Sequence, residues 1–375
     1  MRKIKKTNYY SWLIGKMPDG CKQCVKGQKE VIFLTGVCPR KCFYCPIAEN
    51  KSQKDNVYAN EWKIDNLKDL VTEAKLCSSK GAGVTGGDPL TRLDRTIKVI
   101  KLLKKSFGKQ FHIHLYTSLN LVNDKVISKL EKEGLDEIRF HPDLDKPSEW
   151  KKLLVKTKMS KGVEIPVIPG KKKQTLELIK FIDGKVEFLN LNELEMSDSP
   201  VNKIYEHGLL TKNQYSYAIE GSEKLAKELL KFCAKNTKLN VHYCSSSLKN
   251  KIQLPERVKR RAKNVKQPFD KLNKIGTLIR GAIYLPELVP SFSYQKILQK
   301  ANKKKYLAIL NKIRNTLIKK IPEKMIVVDE NKLRLLTSIK IIKKMKKELK
   351  DNNLVPAIVE EMATQDQFEI EVDEL

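Results

Sequence analysis

Between Glu30 and Glu195 the chain alternates short apolar runs with longer amphipathic stretches, and this alternation constrains the fold more than any other feature. Apolar runs of strand length predict six strands, at 31–36, 82–86, 111–117, 135–140, 162–168 and 185–191. Helices are predicted near 63–80, 91–106, 123–133, 147–159 and 172–183. Crossovers of this length join parallel strands through right-handed connections. The pattern predicts an α/β fold in which the six strands curl into an open, partial (β/α)6 TIM-like barrel.

Three of the eight cysteines lie within eight residues, in a loop that follows the first apolar run. They are Cys38, Cys42 and Cys45, spaced Cys-x3-Cys-x2-Cys, with Tyr44 directly before the last one. A loop this short can turn three thiolates toward one centre, which suits an iron–sulfur cluster with one iron left open. Zinc is the alternative, but zinc usually takes a fourth protein ligand and more often uses paired Cys-x2-Cys knuckles. The loop therefore predicts a 4Fe–4S cluster.

This motif resembles the signature of the radical S-adenosylmethionine (SAM) superfamily. In that superfamily the open iron chelates the amino and carboxylate groups of SAM, and an electron from the cluster cleaves SAM to a 5′-deoxyadenosyl radical. The whole chain, including the Cys21-x2-Cys24 pair and the segment His242-Tyr243-Cys244, looks like an archaeal group of these proteins related to pyruvate formate-lyase activating enzymes. The resemblance implies the partial barrel, both cofactors, and an electron donor of the ferredoxin or flavodoxin type.

The residues that follow each predicted strand are the candidate SAM contacts, because the chemistry of such barrels lies at the carboxyl ends of the strands. Two glycines after the second strand, Gly86 and Gly87, allow the backbone to approach a ligand closely. With Asp88 they resemble the superfamily's Gly-Gly-Glu-Pro element, whose backbone receives the SAM amino group. Here Asp88 stands where Glu is usual.

The later strands supply five further candidates. Thr117 and Ser118 offer hydroxyl groups to the SAM carboxylate or ribose. In the activating enzymes that the chain resembles, the equivalent strands pack on adenine and bind its ribose, which implies these roles for Ile168 and Asn190. Arg139 faces either the barrel mouth or the wall, and a buried ion pair is the alternative for this residue.

Cys21 and Cys24 form a metal knuckle that lacks its second half. Its partners would have to come from far along the chain, and the best candidates are His242 and Cys244. The alternative is a pair of free thiols near a mobile terminus. The sequence leaves a second metal site, for zinc or for an auxiliary iron–sulfur cluster, as an open prediction.

The last hundred residues change to the order β-α-β-β-α-β, which is a ferredoxin-like pattern. Strands are predicted at 277–285, 324–328, 332–337 and 354–360 with a further one near 367–373, and helices at 293–319 and 338–350. We divide the chain into an N-terminal segment with the Cys-x2-Cys pair (1–30), a radical SAM barrel (31–245), a basic linker (246–275) and a ferredoxin-like α+β domain (276–375).

The formal net charge is +30, and the basic residues are concentrated after the barrel. From Leu248 to Lys350 there are 29 Lys and Arg against 7 Asp and Glu. This excess favours RNA as a partner, but 63 lysines against 11 arginines also fit a compositional bias of the source. Two enzyme hypotheses follow, namely modification of RNA or tRNA, and hydrogen abstraction from a protein or small molecule. A non-catalytic, metal-bearing RNA-binding protein is the hypothesis of another class.

No apolar run approaches membrane-spanning length, and the start of the chain lacks a signal-peptide core. Thiols that stay available to metal fit a reducing compartment. The sequence therefore predicts a cytoplasmic protein without a membrane partner.

Overall fold

The computed structural model describes residues 1–375 and divides them into two compact units, Met1–Arg257 and Val258–Leu375. The boundary falls inside a helix, Leu254–Val265, in which Val258 and Ala262 are buried. The basic segment 246–275 therefore differs from the predicted linker: it is helical over most of its length, because its apolar residues pack. The finer boundaries at residues 30, 245 and 275 stay predictions.

The first unit is built on one sheet of eleven strands with flanking helices. Its strands are β1 (Ile4–Lys6), β2 (Trp12–Ile14), β3 (Lys29–Phe33), β4 (Val57–Ala59), β5 (Trp62–Ile64), β6 (Gly81–Thr85), β7 (His112–Ser118), β8 (Glu137–His141), β9 (Ser160–Val167), β10 (Phe188–Glu193) and β11 (Asn240–Cys244). Its helices are α1 (Asp19–Cys24), α2 (Lys68–Leu76), α3 (Leu93–Phe107), α4 (Asp124–Lys132), α5 (Lys172–Ile182), α6 (Ser222–Asn236) and α7 (Ser246–Leu248), followed by α8 (Leu254–Val265) at the boundary.

The strand order is β1-β2-β11-β10-β9-β8-β7-β6-β3-β4-β5. The seven strands from β11 to β3 in this order are parallel, and an antiparallel pair extends the sheet at each edge. The α/β fold is confirmed, and all six predicted strands are present. The count of six is wrong by one, because the short strand β11 joins the parallel set although a long connection separates it from β10.

Side chains alternate along the parallel strands between an apolar outer face and a polar inner face. In β7, Ile113 and Leu115 are fully buried in the hydrophobic core beneath the helices. The alternate residues His114 and Tyr116 face the interior, where they contact each other and Tyr116 accepts from Arg139 of β8. The interior of the barrel is therefore lined with groups that can bind and hydrogen-bond a polar ligand.

The N-terminal segment closes one side of this interior. β2 pairs with β11 through Ile14 and Val241. Helix α1 enters the barrel, where the Gly20 amide donates to Glu137 Oε2 at 3.2 Å. A Cβ at Gly20 would lie 2.4 Å from Arg139 Nη2, so any side chain there would displace the Arg139 guanidinium.

The second unit combines an antiparallel sheet with three helices after the boundary helix. Its sheet has the order β14-β15-β13-β16-β17, with β12 paired to β13. The predicted helix 293–319 is two helices, because the Asn302 side chain accepts from the Lys305 amide at 3.1 Å and starts the second one. The elements are β12 (Lys271–Leu272), β13 (Leu278–Tyr284), α9 (Tyr294–Lys300), α10 (Lys303–Leu317), β14 (Ile326–Asp329), β15 (Arg334–Thr337), α11 (Ile339–Asp351), β16 (Val355–Glu361) and β17 (Glu369–Glu374).

No helix in either unit is both long enough and apolar enough to span a membrane.

Candidate active site

The three cysteines of the loop after β3 line one cavity of about 850 Å³. Cys38, Cys42 and Cys45 are all free thiols of intermediate exposure. The cavity is also lined by residues from the carboxyl ends of β6, β7 and β8, which is the edge where sequence reasoning placed the chemistry. Three accessible thiolates around one space are the donor set that a 4Fe–4S cluster with an open iron requires.

The cysteine loop is fastened to the end of β8. Arg40 Nη1 donates to the His141 carbonyl at 2.7 Å, and Tyr44 Oη lies 3.0 Å from His141 Nε2. The other ring nitrogen of His141 lies 2.8 Å from the Glu164 carbonyl, to which it donates. Burial lowers the pKa of His141 to about 4, so the ring is neutral and its Nε2 accepts a hydrogen bond from the Tyr44 hydroxyl. Tyr44, which directly precedes the last cysteine of the loop, therefore also orients the loop.

A segment between β10 and α6 covers the outer side of the same loop. The Ser199 hydroxyl donates to the Ile47 carbonyl at 2.7 Å, and the Lys203 amide donates to the Phe43 carbonyl at 2.6 Å. The Phe43 ring packs against the His207 ring, with centroids 3.9 Å apart and the ring planes tilted by 33°. These contacts carried no recognisable sequence signal, because they join irregular stretches far apart in the chain.

Gly86 and Gly87 lie directly beside the cysteine loop and line the cavity. The Gly87 amide donates to the Thr35 carbonyl at 2.7 Å. A Cβ at Gly87 would lie 2.4 Å from the Val37 carbonyl oxygen, and one at Gly86 would lie 2.3 Å from the Thr35 carbonyl oxygen. Gly86 also has φ +142°, which side chains rarely allow. Both positions therefore require glycine for the close approach of two backbones.

The Asp88 carboxylate is fully buried and does not line the cavity. It accepts four hydrogen bonds: from the Leu90 amide at 3.0 Å, Thr117 Oγ1 at 2.9 Å, and the Ser118 amide and hydroxyl at 3.1 and 2.6 Å. Thr117 and Ser118 do line the cavity. Asp88 therefore positions two predicted SAM contacts across the gap between β6 and β7.

Arg139 lies in a buried ion pair, the alternative that the sequence left open. Its guanidinium contacts Glu137 at 2.5 Å and Glu164 at 2.7 Å, and its side chain is 2% exposed. Burial alone would raise the pKa of Glu164, but the Arg139 charge and hydrogen bonds from Asn190 and Asn192 outweigh burial and lower the pKa. This network forms the inner wall of the cavity through Glu164 and Asn192.

Lys29 is a cavity residue that sequence reasoning missed. Its ammonium contacts the Ala82 carbonyl at 3.1 Å and His112 Nδ1 at 2.7 Å. Burial lowers the pKa of Lys29 to about 7. The sequence could have indicated this position through strand alternation: Lys29 lies two residues before Val31 and therefore points to the same side of β3.

Ile168 and Asn190 do not share one space in the structure. Ile168 lines a neighbouring cavity of about 390 Å³ on the other side of the cysteine loop, together with Asn120 and Asp143. Asn190 is buried beneath the main cavity and donates to Glu164 at 2.8 Å. Asn192, two residues further on the same face, lines the main cavity instead.

The four residues of the predicted second metal site all lie in the first unit. Cys21 is buried on α1, where its sulfur is 3.4 Å from Asn190 Nδ2, and Cys24 lines the main cavity. His242 is buried on β11, and Cys244 ends that strand. No group of three His, Cys, Asp or Glu side chains is gathered as metal ligands in the structure, the cluster cysteines included.

Comparisons with known proteins agree with this site. A family model described as the radical SAM superfamily matches residues 32–164. A protein of Methanocaldococcus jannaschii, provisionally named a glycyl-radical enzyme activating enzyme, is 42% identical over 277 residues, which cover 71% of this chain and 73% of the relative.

Two solved structures show more distant similarity. The radical SAM methyltransferase TsrM from Kitasatospora setae, with a tryptophan substrate and a SAM analogue bound, matches at a TM-score of 0.35 and 10% identity over 70% of this chain and 56% of its own. Coproporphyrinogen III oxidase (HemN) from Escherichia coli, a radical SAM enzyme, matches at a TM-score of 0.34 and 9% identity over 86% of this chain and 90% of its own.

Proposed function

Because the chain belongs to the radical SAM superfamily, we propose that it is an activating enzyme that abstracts a hydrogen atom from a glycine residue of a partner protein. The name of the 42% identical relative supports a protein substrate. The comparisons lend no support to RNA or tRNA modification or to an RNA partner. Hydrogen abstraction from a protein, the other enzyme hypothesis drawn from the sequence, agrees better with the name of this relative.

One observation carries the proposal: the three cysteines and the glycine pair line the same cavity at the carboxyl ends of the parallel strands. When bound, the cluster and SAM supply the reductive cleavage that yields the hydrogen-abstracting 5′-deoxyadenosyl radical. Cys38, Cys42 and Cys45 would hold the cluster. Gly86 and Gly87, which line the cavity beside these cysteines, would offer backbone groups to the SAM amino group.

The remaining polar residues of the cavity position SAM rather than react. Asp88 fixes Thr117 and Ser118, whose hydroxyls we assign to the carboxylate or ribose of SAM. We keep Ile168 as the candidate for adenine. For the ribose, Asn192 is now a better candidate than Asn190, because Asn192 lines the cavity and Asn190 is buried below it.

Arg139 supports this wall indirectly. Its ion pair with Glu164 holds that carboxylate where Asn190 and Asn192 also donate to it. We therefore assign Arg139 a positioning role in place of direct contact with SAM.

Two further parts of the proposal concern the surroundings of the site. An enzyme of this family needs an external reductant, and we retain a ferredoxin or flavodoxin as the donor. We also propose that the second unit is a ferredoxin-like domain. The order β14-β15-β13-β16 with antiparallel pairing supports this, since it is the order in which a β-α-β-β-α-β chain interleaves its strands.

The proposal is tested by following deuterium. Proteins of the source organism, grown with glycine deuterated at Cα, are incubated anaerobically with the reconstituted, reduced enzyme and SAM. We expect deuterium to appear in 5′-deoxyadenosine. RNA extracted from the same cells serves as the parallel substrate and should transfer none.

Matched variants test the cleavage of SAM separately from the identity of the substrate. Replacing Cys38, Cys42 or Cys45 by Ala should abolish SAM cleavage, whereas Cys233→Ala, at a buried cysteine of α6, should leave it unchanged. Cleavage of SAM without deuterium transfer from protein would refute the glycine substrate and retain the SAM chemistry. Undiminished cleavage in the cysteine variants would refute both.

A further inference from the structure

Four soft donors outside the cysteine loop face the interior of the first unit. Cys21 and Cys24 are three residues apart on α1 and therefore lie on one face of that helix. His242 and Cys244 are two residues apart on β11 and point to the same side of the sheet. Asn190 joins the two pairs, since its amide lies 3.4 Å from Cys21 Sγ and its register partner is His242.

The imidazole of His242 is 2% exposed, and neither of its ring nitrogens has a hydrogen-bond partner. Leaving a buried polar group unpaired is costly, so such a group calls for a partner that hydrogen bonding does not supply here. A neutral imidazole nitrogen is the commonest protein ligand for a metal ion. An unpaired ring beside two thiol-bearing elements therefore points to a metal.

Burial raises the pKa of the Cys21 thiol, whereas the Arg139 charge and two neighbouring N–H groups favour its thiolate. Arg139 Nη2 lies 3.5 Å from Cys21 Sγ, and Asn190 Nδ2 lies 3.4 Å from it, so two N–H donors are directed at one sulfur. Hydrogen bonds and positive charge of this kind stabilise the thiolate, which is the form that binds metal. The Arg139 charge would also compensate part of the charge of three bound thiolates.

From these contacts we propose that Cys21, Cys24, Cys244 and His242 bind one zinc ion in the interior of the barrel. Three thiolates with one imidazole form a tetrahedral zinc site that leaves no open position. Binding releases the three thiol protons to solvent. The four groups are not yet gathered as ligands in the structure, so side chains of α1 and β11 must turn toward each other on binding.

A single ion fits this donor set better than a second iron–sulfur cluster. Cys21 and Cys24 lie within one turn of a short helix, an arrangement that grips one ion between two sulfurs. Cys24 lines the main cavity, so the zinc ion would fasten α1 to β11 beside the proposed SAM site. The proposed role is structural, and it holds whatever the substrate of the enzyme is.

The test uses the full-length chain with Cys38, Cys42 and Cys45 replaced by Ala, which removes the cluster ligands and with them any iron signal from the loop. This variant is purified anaerobically with zinc, and its metal content is measured by elemental analysis. We expect about one zinc per chain. Adding Cys21→Ala or Cys244→Ala should weaken zinc binding at least about tenfold, whereas adding Cys233→Ala, at a buried cysteine of α6, should change nothing.

His242→Gln serves where a cysteine variant fails to fold, and its zinc affinity is measured by competition with a chromogenic chelator. We expect at least about tenfold weaker binding in this variant as well. Four outcomes would overturn the proposal: no zinc in the triple variant, an equal loss in the Cys233→Ala control, iron in place of zinc at these cysteines, or a Cys21–Cys24 disulfide in the purified chain.

Discussion

Asp88 allows the sharpest test of how the cavity wall is held. Its buried carboxylate accepts from two backbone amides and two hydroxyls, at distances from 2.6 to 3.1 Å. In Asp88→Asn one oxygen becomes an NH2 group. The hydroxyls of Thr117 and Ser118 can rotate to accept from that group, but a backbone amide cannot. One buried amide therefore loses its partner, whichever way the new side chain turns.

The loss of stability follows from the one buried amide that is left without a partner. An orphaned buried donor costs about 1–3 kcal/mol, and the retained bonds lose their charge assistance, so we expect the first unit to be destabilised by about 2–4 kcal/mol. For a unit of this size that is a fall in melting temperature of about 4–16 °C. Scanning calorimetry under anaerobic conditions measures the shift. Asp94→Asn, at an exposed position of α3, should stay within about 0.5 kcal/mol of wild type.

The same variant has a functional consequence. Since Thr117 and Ser118 line the cavity, their displacement should raise the KM for SAM more than it lowers kcat. A melting temperature within about 1 °C of wild type together with an unchanged KM would refute the idea that Asp88 holds this wall. Asp88→Glu, the residue usual in the superfamily, should also destabilise the unit, by about 1–3 kcal/mol, because the fully buried site has no room for another methylene.

Two further predictions concern the cavity. In Gly87→Ala the new Cβ would lie 2.4 Å from the Val37 carbonyl oxygen, so the cysteine loop must move, and the iron content after reconstitution should fall several-fold while the far-UV spectrum stays unchanged. An iron content equal to wild type would contradict this. Lys29 has a pKa of about 7 in the folded chain against an ordinary value of 10.5, so the unfolded chain binds more protons between these values and stability should rise with pH in that window. Relative to Lys29→Met, wild type should gain up to about 1.4 kcal/mol per pH unit between pH 7.5 and 9.5, measured by denaturant unfolding; parallel pH profiles would contradict it.

The parallel strands and the cysteine loop were predictable because their signals are local. Apolar runs of strand length marked six strands of the barrel, and the spacing of Cys38, Cys42 and Cys45 identified the loop. The side-chain environment was harder to predict. Arg139 lies within a strand, β8, and its partners Glu137 and Glu164 lie on β8 and β9, whose register no local pattern states. Asn190 and Asn192 share one face, so only their depth in the barrel separates them.

The long-range pairings of the first unit had no sequence signal at all. β2 and β11 are both short, and their pairing depends on the whole barrel lying between them. The fit of α1 into the interior depends on Gly20, which as a single residue reads like any turn glycine. The packing of the segment around Ser199 on the cysteine loop could not be predicted either, because its main partners are backbone carbonyls of that loop.

The pairing of β2 with β11 bears on how the chain folds as it leaves the ribosome. Trp12 pairs with Tyr243, so β1 and β2 have only each other as partners until more than two hundred further residues have been made. At about 5–20 residues per second, this delay lasts on the order of ten to fifty seconds. During that interval the edge of the nascent sheet is unprotected, and closing so long a loop makes the last step slow. Completion of the barrel is therefore a late event, which must wait until β11 has been synthesised.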